Sequence, residues 1–194
     1  MIQKGYIKMA GYITYFPKEQ IKALEKDKDY GPIKVIFGSV HTKMPSIQAV
    51  KVGDIIYPVT IMNGNLYAIA RLPVENIEVA YDYLVRELGN SCGALVPDGI
   101  DWKTYYYTPL LPHKKHQEPF NCCAKLAATS TNGSTIEPRQ IPNELLEELR
   151  FGPSKSKEKG LRFDKNGKPS ILSVSSVVRK MSEETQKIFE ALFL

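Results

Sequence analysis

Apolar and polar residues alternate most regularly between positions 50 and 76. There, residues 54–61 and 66–72 are rich in Ile, Val, Tyr and Thr and flank the pair Asn63-Gly64. Period-two alternation on both sides of Asn-Gly predicts two strands joined by a tight hairpin whose central residues both adopt positive φ. Residues 6–16 alternate well enough for an earlier strand, and Pro17 opens a helix that carries Ile21 and Leu24 on one face. Residues 33–40 read as a short buried strand leading through a polar loop to the hairpin. After Pro73, the spacing of Ile77, Tyr81, Leu84, Val85 and Leu88 predicts an amphipathic helix ended by Gly89.

Residues 90–138 have no sustained period, so loops and short strands are expected, with "WKTYYYTPLL" as a strand candidate. Further on, "IPNELLEELR" predicts a short helix capped by Asn143, and "DKNGK" carries a second hairpin signal. "SILSVSSVV" predicts a strand. The end, "SEETQKIFEALFL", predicts a helix capped by Ser182, with acidic residues in its first turn and Ile188, Phe189, Leu192 and Phe193 to bury.

With 194 residues, 43% of them hydrophobic, the chain can bury a sizeable core. No apolar run approaches the roughly 20 residues that cross a bilayer, and the first residues lack the apolar block of a secretory signal. Three cysteines, two of them adjacent, cannot form a closed disulfide framework. A cytoplasmic protein with reduced thiols and no membrane association is the expectation.

Charge changes the picture more. Between Ser154 and Pro169, Lys155, Lys157, Lys159, Arg162, Lys165 and Lys168 oppose only Glu158 and Asp164, which places a net +4 of the chain's +5 in one segment. Clustered cations are the footprint of a phosphate-backbone partner, RNA or DNA. They also suit a solubilising loop or a dock for an acidic protein. Trp102 and Tyr105–Tyr107 lie near Lys103, Lys114 and Lys115, and aromatic faces beside cations suit a nucleobase and its phosphate.

Catalytic signals are weak. His113, His116, Cys122 and Cys123 offer the atoms for zinc, but adjacent cysteines seldom direct both sulfurs to one tetrahedral centre. Cys92, with His41 as a conceivable base, follows a predicted helix C-terminus, the wrong end of the dipole to activate a thiol. No phosphate loop, dinucleotide fingerprint, nucleophile elbow or paired-histidine metal helix occurs. No cofactor, metal or catalytic residue is therefore expected.

The stretch "QAVKVGDIIYPVTIMNGNLYAIARLPVEN" resembles the central hairpin of the PUA-like superfamily, which includes ASCH, EVE and YTH domains. Val50, Gly53, Asp54, Ile56, Tyr57 and Val74 carry the likeness. The N-terminal tryptophan of many EVE-type domains and the signature motif of ASCH domains are absent, so no family functional residue is carried over. The resemblance implies an α+β fold with a small mixed β-barrel flanked by helices over residues 1–125. Residues 126–194 would add a C-terminal extension with the basic loop, a strand and a helix packed on the barrel. It also implies a concave face where relatives hold RNA or a flipped base. Ser39, His41, Lys43, Trp102 and Tyr105 would flank that pocket while the six cations of the basic segment follow the backbone. The functional expectation is a non-catalytic nucleic-acid-binding protein. The alternative is an interaction factor of the immunity or phage accessory type that docks an acidic partner through its basic surface.

Overall fold

The strand β3 (Ile55–Met62) organises the structure, a computed structural model that describes residues 9–28, 30–39, 47–88, 124–174 and 178–194. Its side chains are buried on both faces over most of its length, so it must lie between two packed layers. It runs parallel to β1 (Gly11–Tyr15), in register Gly11 with Ile55 through Tyr15 with Val59. On its other edge it pairs antiparallel with β4 (Asn65–Ala68) and β5 (Leu72–Pro73). Two-residue strands β8 (Arg139–Gln140) and β9 (Arg179–Lys180) complete the outer edges, giving the order β8-β4-β3-β1-β9 with β5 also on β3. A smaller sheet has the order β2-β7-β6, formed by Val35–Ser39, Ala124–Thr129 and Asn76–Val79.

Because side chains alternate along a strand, β3 feeds two cores. Ile56 joins Tyr12, Phe16 and Leu72 in the first core, which faces Ile36 and Ala128 of the smaller sheet and Ile21 and Leu24 of helix α1 (Lys18–Asp27). Ile55, Tyr57 and Val59 join Ile13 and Leu66 in the second core. That core is closed by Leu146, Leu149 and Phe151, and by Phe189 of helix α3 (Glu183–Ala191). Helix α2 (Ala80–Leu88) lies against the smaller sheet, where Tyr83 meets Phe37 edge-on at 5.8 Å. The protein is thus mixed α+β. The two sheets face each other across the first core and join at a corner, where the Glu75 amide donates to the Thr129 carbonyl at 2.9 Å. Among the described strands none of the smaller sheet pairs with the larger, so these strands by themselves do not close a barrel.

The start of β3 is a staple. Gly53 has φ +95, its amide donates to the Val74 carbonyl at 2.8 Å, and the Val74 amide returns a bond to the Asp54 carbonyl at 2.8 Å. The buried Asp54 carboxylate accepts the amides of Ala10 at 2.9 Å and Lys51 at 2.8 Å, tying the approach to β1 to the turn. Nearby, the Tyr12 hydroxyl donates to the Ala49 carbonyl, and burial followed by the charge of Asp54 pushes its ionisation up to about 12. The hairpin turn is as the Asn63-Gly64 pair predicts, with φ of +53 and +81.

Other expectations need correction. The return strand of the hairpin breaks into β4 and β5, because Pro58 has no N–H to continue the ladder. The chain at 69–71 turns its backbone instead to residues 134–137: the Ser134 amide donates to the Arg71 carbonyl and the Glu137 amide to the Ile69 carbonyl. The helix after Pro73 begins only at Ala80; Ile77 belongs to β6, where pairing with β7 outweighs the helical spacing. Pro142, rather than Asn143, stands at the N-cap of a 3-10 turn, Asn143–Leu145, in place of an α-helix. The stretch "SILSVSSVV" starts as a 3-10 turn, Ile171–Ser173, with Ser170 as its cap, and among the described residues that follow, Arg179–Lys180 just beyond it form a strand. Ser182 does cap α3, accepting the Thr185 amide at 3.2 Å. No helix of the described residues is long and apolar enough to cross a membrane.

Two stability predictions follow from these contacts. At Gly53 a side chain meets open space, so Gly53→Val costs only backbone strain, on the order of 1–3 kcal/mol, whereas Lys157→Ala on the surface stays within about 0.5 kcal/mol. Equal denaturation midpoints for the two variants would refute the strained turn. In the second core the Tyr57 ring packs on Phe189 and Phe193 at 5.4 and 5.6 Å, yet its buried hydroxyl makes no hydrogen bond of regular geometry. Burial pushes its ionisation up to about 12, against the pull of Arg71. Tyr57→Phe is therefore expected to leave stability unchanged or raise it by up to about 1 kcal/mol, while Tyr57→Ala loses about 3–5 kcal/mol. A Phe variant as unstable as the Ala variant would show that the hydroxyl has a partner.

Candidate nucleic-acid interface

The basic segment is not a free tail. Phe151, buried in the second core, pairs antiparallel with both Lys159 and Met181. The Phe151 and Lys159 backbones exchange two bonds of 3.0 Å, and the Gly152 amide donates to the Lys180 carbonyl at 2.9 Å. These bonds close a loop that holds the 3-10 turn Lys155–Lys157. Leu161, half-buried, touches the same core. A second loop begins at Arg162, whose amide donates to Ser173 Oγ at 2.6 Å and whose carbonyl accepts the Ser170 amide at 2.8 Å.

The tip of this second loop is built around Asp164. Its carboxylate accepts the amides of Asn166 at 2.8 Å and Lys168 at 2.9 Å, Gly167 takes φ +72, and Phe163 bridges to Pro169. The hairpin signal in "DKNGK" thus gives a tight turn with Gly in the left-handed position. The aliphatic stem of Lys168 lies across the β3–β4 turn, where a Cβ on Gly64 would sit 2.5 Å from Lys168 Cδ. Gly64 is favoured for its positive φ, and its lack of a side chain leaves room for the Lys168 stem.

All six predicted cations are exposed on these two loops, and among the described residues none forms an ion pair within 4 Å. Their surroundings differ. Lys155 borders a cleft of about 370 Å³ that it shares with Lys180, Glu158, Glu183 and Glu184. The Glu184 carboxyl is held below the ordinary range by the helix backbone and Ser182, and then by Lys155 and Lys187. That end is mixed in charge. Around the second loop the only carboxylate within the segment is Asp164, whose Oδ1 accepts both backbone amides. Arg179 adds a further cation there: half-buried, it donates to the Ser173 carbonyl at 2.6 Å, and burial followed by the charge of Arg162 lowers its pKa. Beside these cations three apolar side chains face solvent: Phe163 at 37% exposure, Ile171 at 48% and Leu172 at 71%.

The structure places Lys155, Lys157 and Lys159 on the first loop and Arg162, Lys165 and Lys168 on the second, all six exposed. Ser39 ends β2, beside a bulge opposite Ala124. The first core and the larger sheet separate that strand from the second core on which the basic loops are anchored. His41, Lys43, Trp102 and Tyr105 lie outside the described residues, as do Cys92, His113, His116, Cys122 and Cys123. Sequence reasoning missed Phe163 and Arg179. The first could have been found from its place inside "LRFDKNGK"; the second is brought in by the fold from a distant stretch.

Asp164 gives this surface a pH dependence. The amides of Lys168 and then Asn166 hold its carboxyl below the ordinary range. A depressed native pKa means that the turn gains stability above the unfolded value of about 4 and loses it as pH falls through the lower native value. In an NMR titration the amide shifts of Asn166 and Lys168 should move with a midpoint below that of an ordinary aspartate. A midpoint at or above about 4 would contradict the turn.

Compared with known proteins, the chain matches no protein-family model, and no curated protein matches it.

Proposed function

We propose that this chain is a non-catalytic nucleic-acid-binding protein, cytoplasmic, whose two basic loops follow a phosphate backbone. The observation that carries the reading is the anchoring of six exposed cations on a scaffold tied to the second core, rather than on a free lysine-rich tail. Fixed cations lose little conformational entropy on meeting a polyanion, and each phosphate contact releases condensed counterions. Kinship with PUA-like proteins is part of the proposal. It is supported by the Gly53-Asp54 turn that launches β3 and by the Asn63-Gly64 hairpin, in a fold whose two sheets pack about the first core. A base pocket at Ser39, His41, Lys43, Trp102 and Tyr105 would be a separate subsite, since β2 and the basic loops lie on different layers. A second reading, docking of an acidic protein, draws on the exposed Ile171 and Leu172 beside the cations.

The test is a titration of short single- and double-stranded RNA and DNA at several salt concentrations. Replacing Arg162, Lys165 and Lys168 together by Ala should weaken binding to every sequence and flatten the salt dependence, by about one unit of logarithmic slope per lost duplex phosphate contact and less for single strands. Replacing Lys155, Lys157 and Lys159 should do so to a smaller degree, because Lys155 stands near Glu184. If wild type binds none of these ligands more tightly than about millimolar at low salt, even weaker than ordinary non-specific binding, the reading fails and the acidic-protein alternative takes its place.

A further inference from the structure

Resting on the nucleic-acid reading, we infer that the second basic loop is a single-strand site in which the Phe163 ring stacks on an unpaired base while Arg162, Lys165 and Lys168 hold the flanking phosphates. Phe163 stands on a turn that has little freedom to fold it inward. Its backbone bridges Pro169, the next residue's carboxylate accepts two amides of the turn, and Gly167 fixes the left-handed corner. Phe151 and Leu161 from the same region reach the second core, whereas Phe163 remains 37% exposed. Within five residues of it stand four exposed cations, Lys159, Arg162, Lys165 and Lys168, and Arg179 lies electrostatically close to Arg162.

Charge complementarity selects a polyanion, and the aromatic ring selects among polyanions. A base inside a duplex already has both faces covered by its neighbours, so only an unpaired base offers a face to Phe163. Stacking is indifferent to base identity, so the site takes single strands with little sequence preference. Leu172, one residue from the Arg162–Ser173 hydrogen bond, is a further apolar side chain of this loop that faces solvent, at 71% exposure.

The experiment uses the full chain and fluorescent oligo-dT and oligo-U of about 15 nucleotides, a size within the span of common single-strand sites, with a duplex of the same length. Phe163→Ala is expected to weaken single-strand binding about 5- to 150-fold with the salt slope unchanged, and to leave duplex binding as it was. Phe163→Trp should retain the wild-type affinity. An oligonucleotide of abasic residues should bind wild type about 5- to 150-fold more weakly than ordinary oligo-dT does, which tests the stacking even if the Ala variant is misfolded. If Phe163→Ala, folded by circular dichroism, binds single strands as wild type does, or if abasic and ordinary strands bind wild type equally, the stacking site is overturned while the backbone reading stands. If wild type binds no nucleic acid at low salt, both fall together.

Discussion

The Asp54 carboxylate is the interaction on which the larger sheet depends. A parallel pair of strands cannot be joined by a tight turn, so β1 and β3 must be brought into register by something other than their connection. Asp54 does this by accepting the Ala10 amide just before β1 and the Lys51 amide just before its own strand, while the Ile55 amide donates to the Ala10 carbonyl at 2.9 Å. The ladder from Gly11 with Ile55 to Tyr15 with Val59 continues from that point. Gly53 makes the arrangement possible, since its positive φ turns the chain into β3 and allows the paired bonds with Val74.

Once β3 is fixed, the placement of the basic loops follows from its alternation. Ile55, Tyr57 and Val59 present an apolar face that must be covered, and the chain after β8 supplies Leu146, Leu149, Phe151 and then α3 to cover it. Phe151 is both a core residue and the backbone partner of Lys159 and Met181, so burying its ring also draws the ends of the first loop and β9 together. The second core thus serves as the foundation of the charged surface. A residue that stabilises the core and a residue that positions a cation are, at Phe151, the same residue.

The elements legible in the sequence were those decided by local chemistry. Asn63-Gly64 announces its turn because few other residues accept positive φ, Ser182 caps α3 through an oxygen three residues from the amide it accepts, and Ile21 and Leu24 follow helical spacing into the first core. The elements misread were those decided by partners far along the chain. Asn76–Val79 has the apolar spacing of a helix start, but β7 offers it a ladder; β7 itself, "AKLAAT", has no strong strand propensity and stands between two partners. The charge of the basic segment could be read from composition. That it is folded into two closed loops could not, because the closing partners Met181, Ser173 and Gly64 are recognised only in three dimensions.

The closed loops also separate two explanations for a lysine-rich segment. Solubility requires only that charges be exposed and spread, and a disordered tail supplies that without hydrogen bonds. Here Asp164, an anion in a cationic segment, accepts two amides of the turn on one carboxylate oxygen, Ser173 accepts the Arg162 amide, and the Lys168 stem lies over Gly64. Each contact fixes where a positive charge can stand while leaving the charged group in water. Such fixing adds little to net charge, but it lowers the entropy lost when several phosphates are met at once. The cations of the hydrogen-bonded second loop, Arg162, Lys165 and Lys168, do not line the Glu183-Glu184 cleft, whereas Lys155 does, so order and less opposed charge coincide at the Phe163 end of the segment.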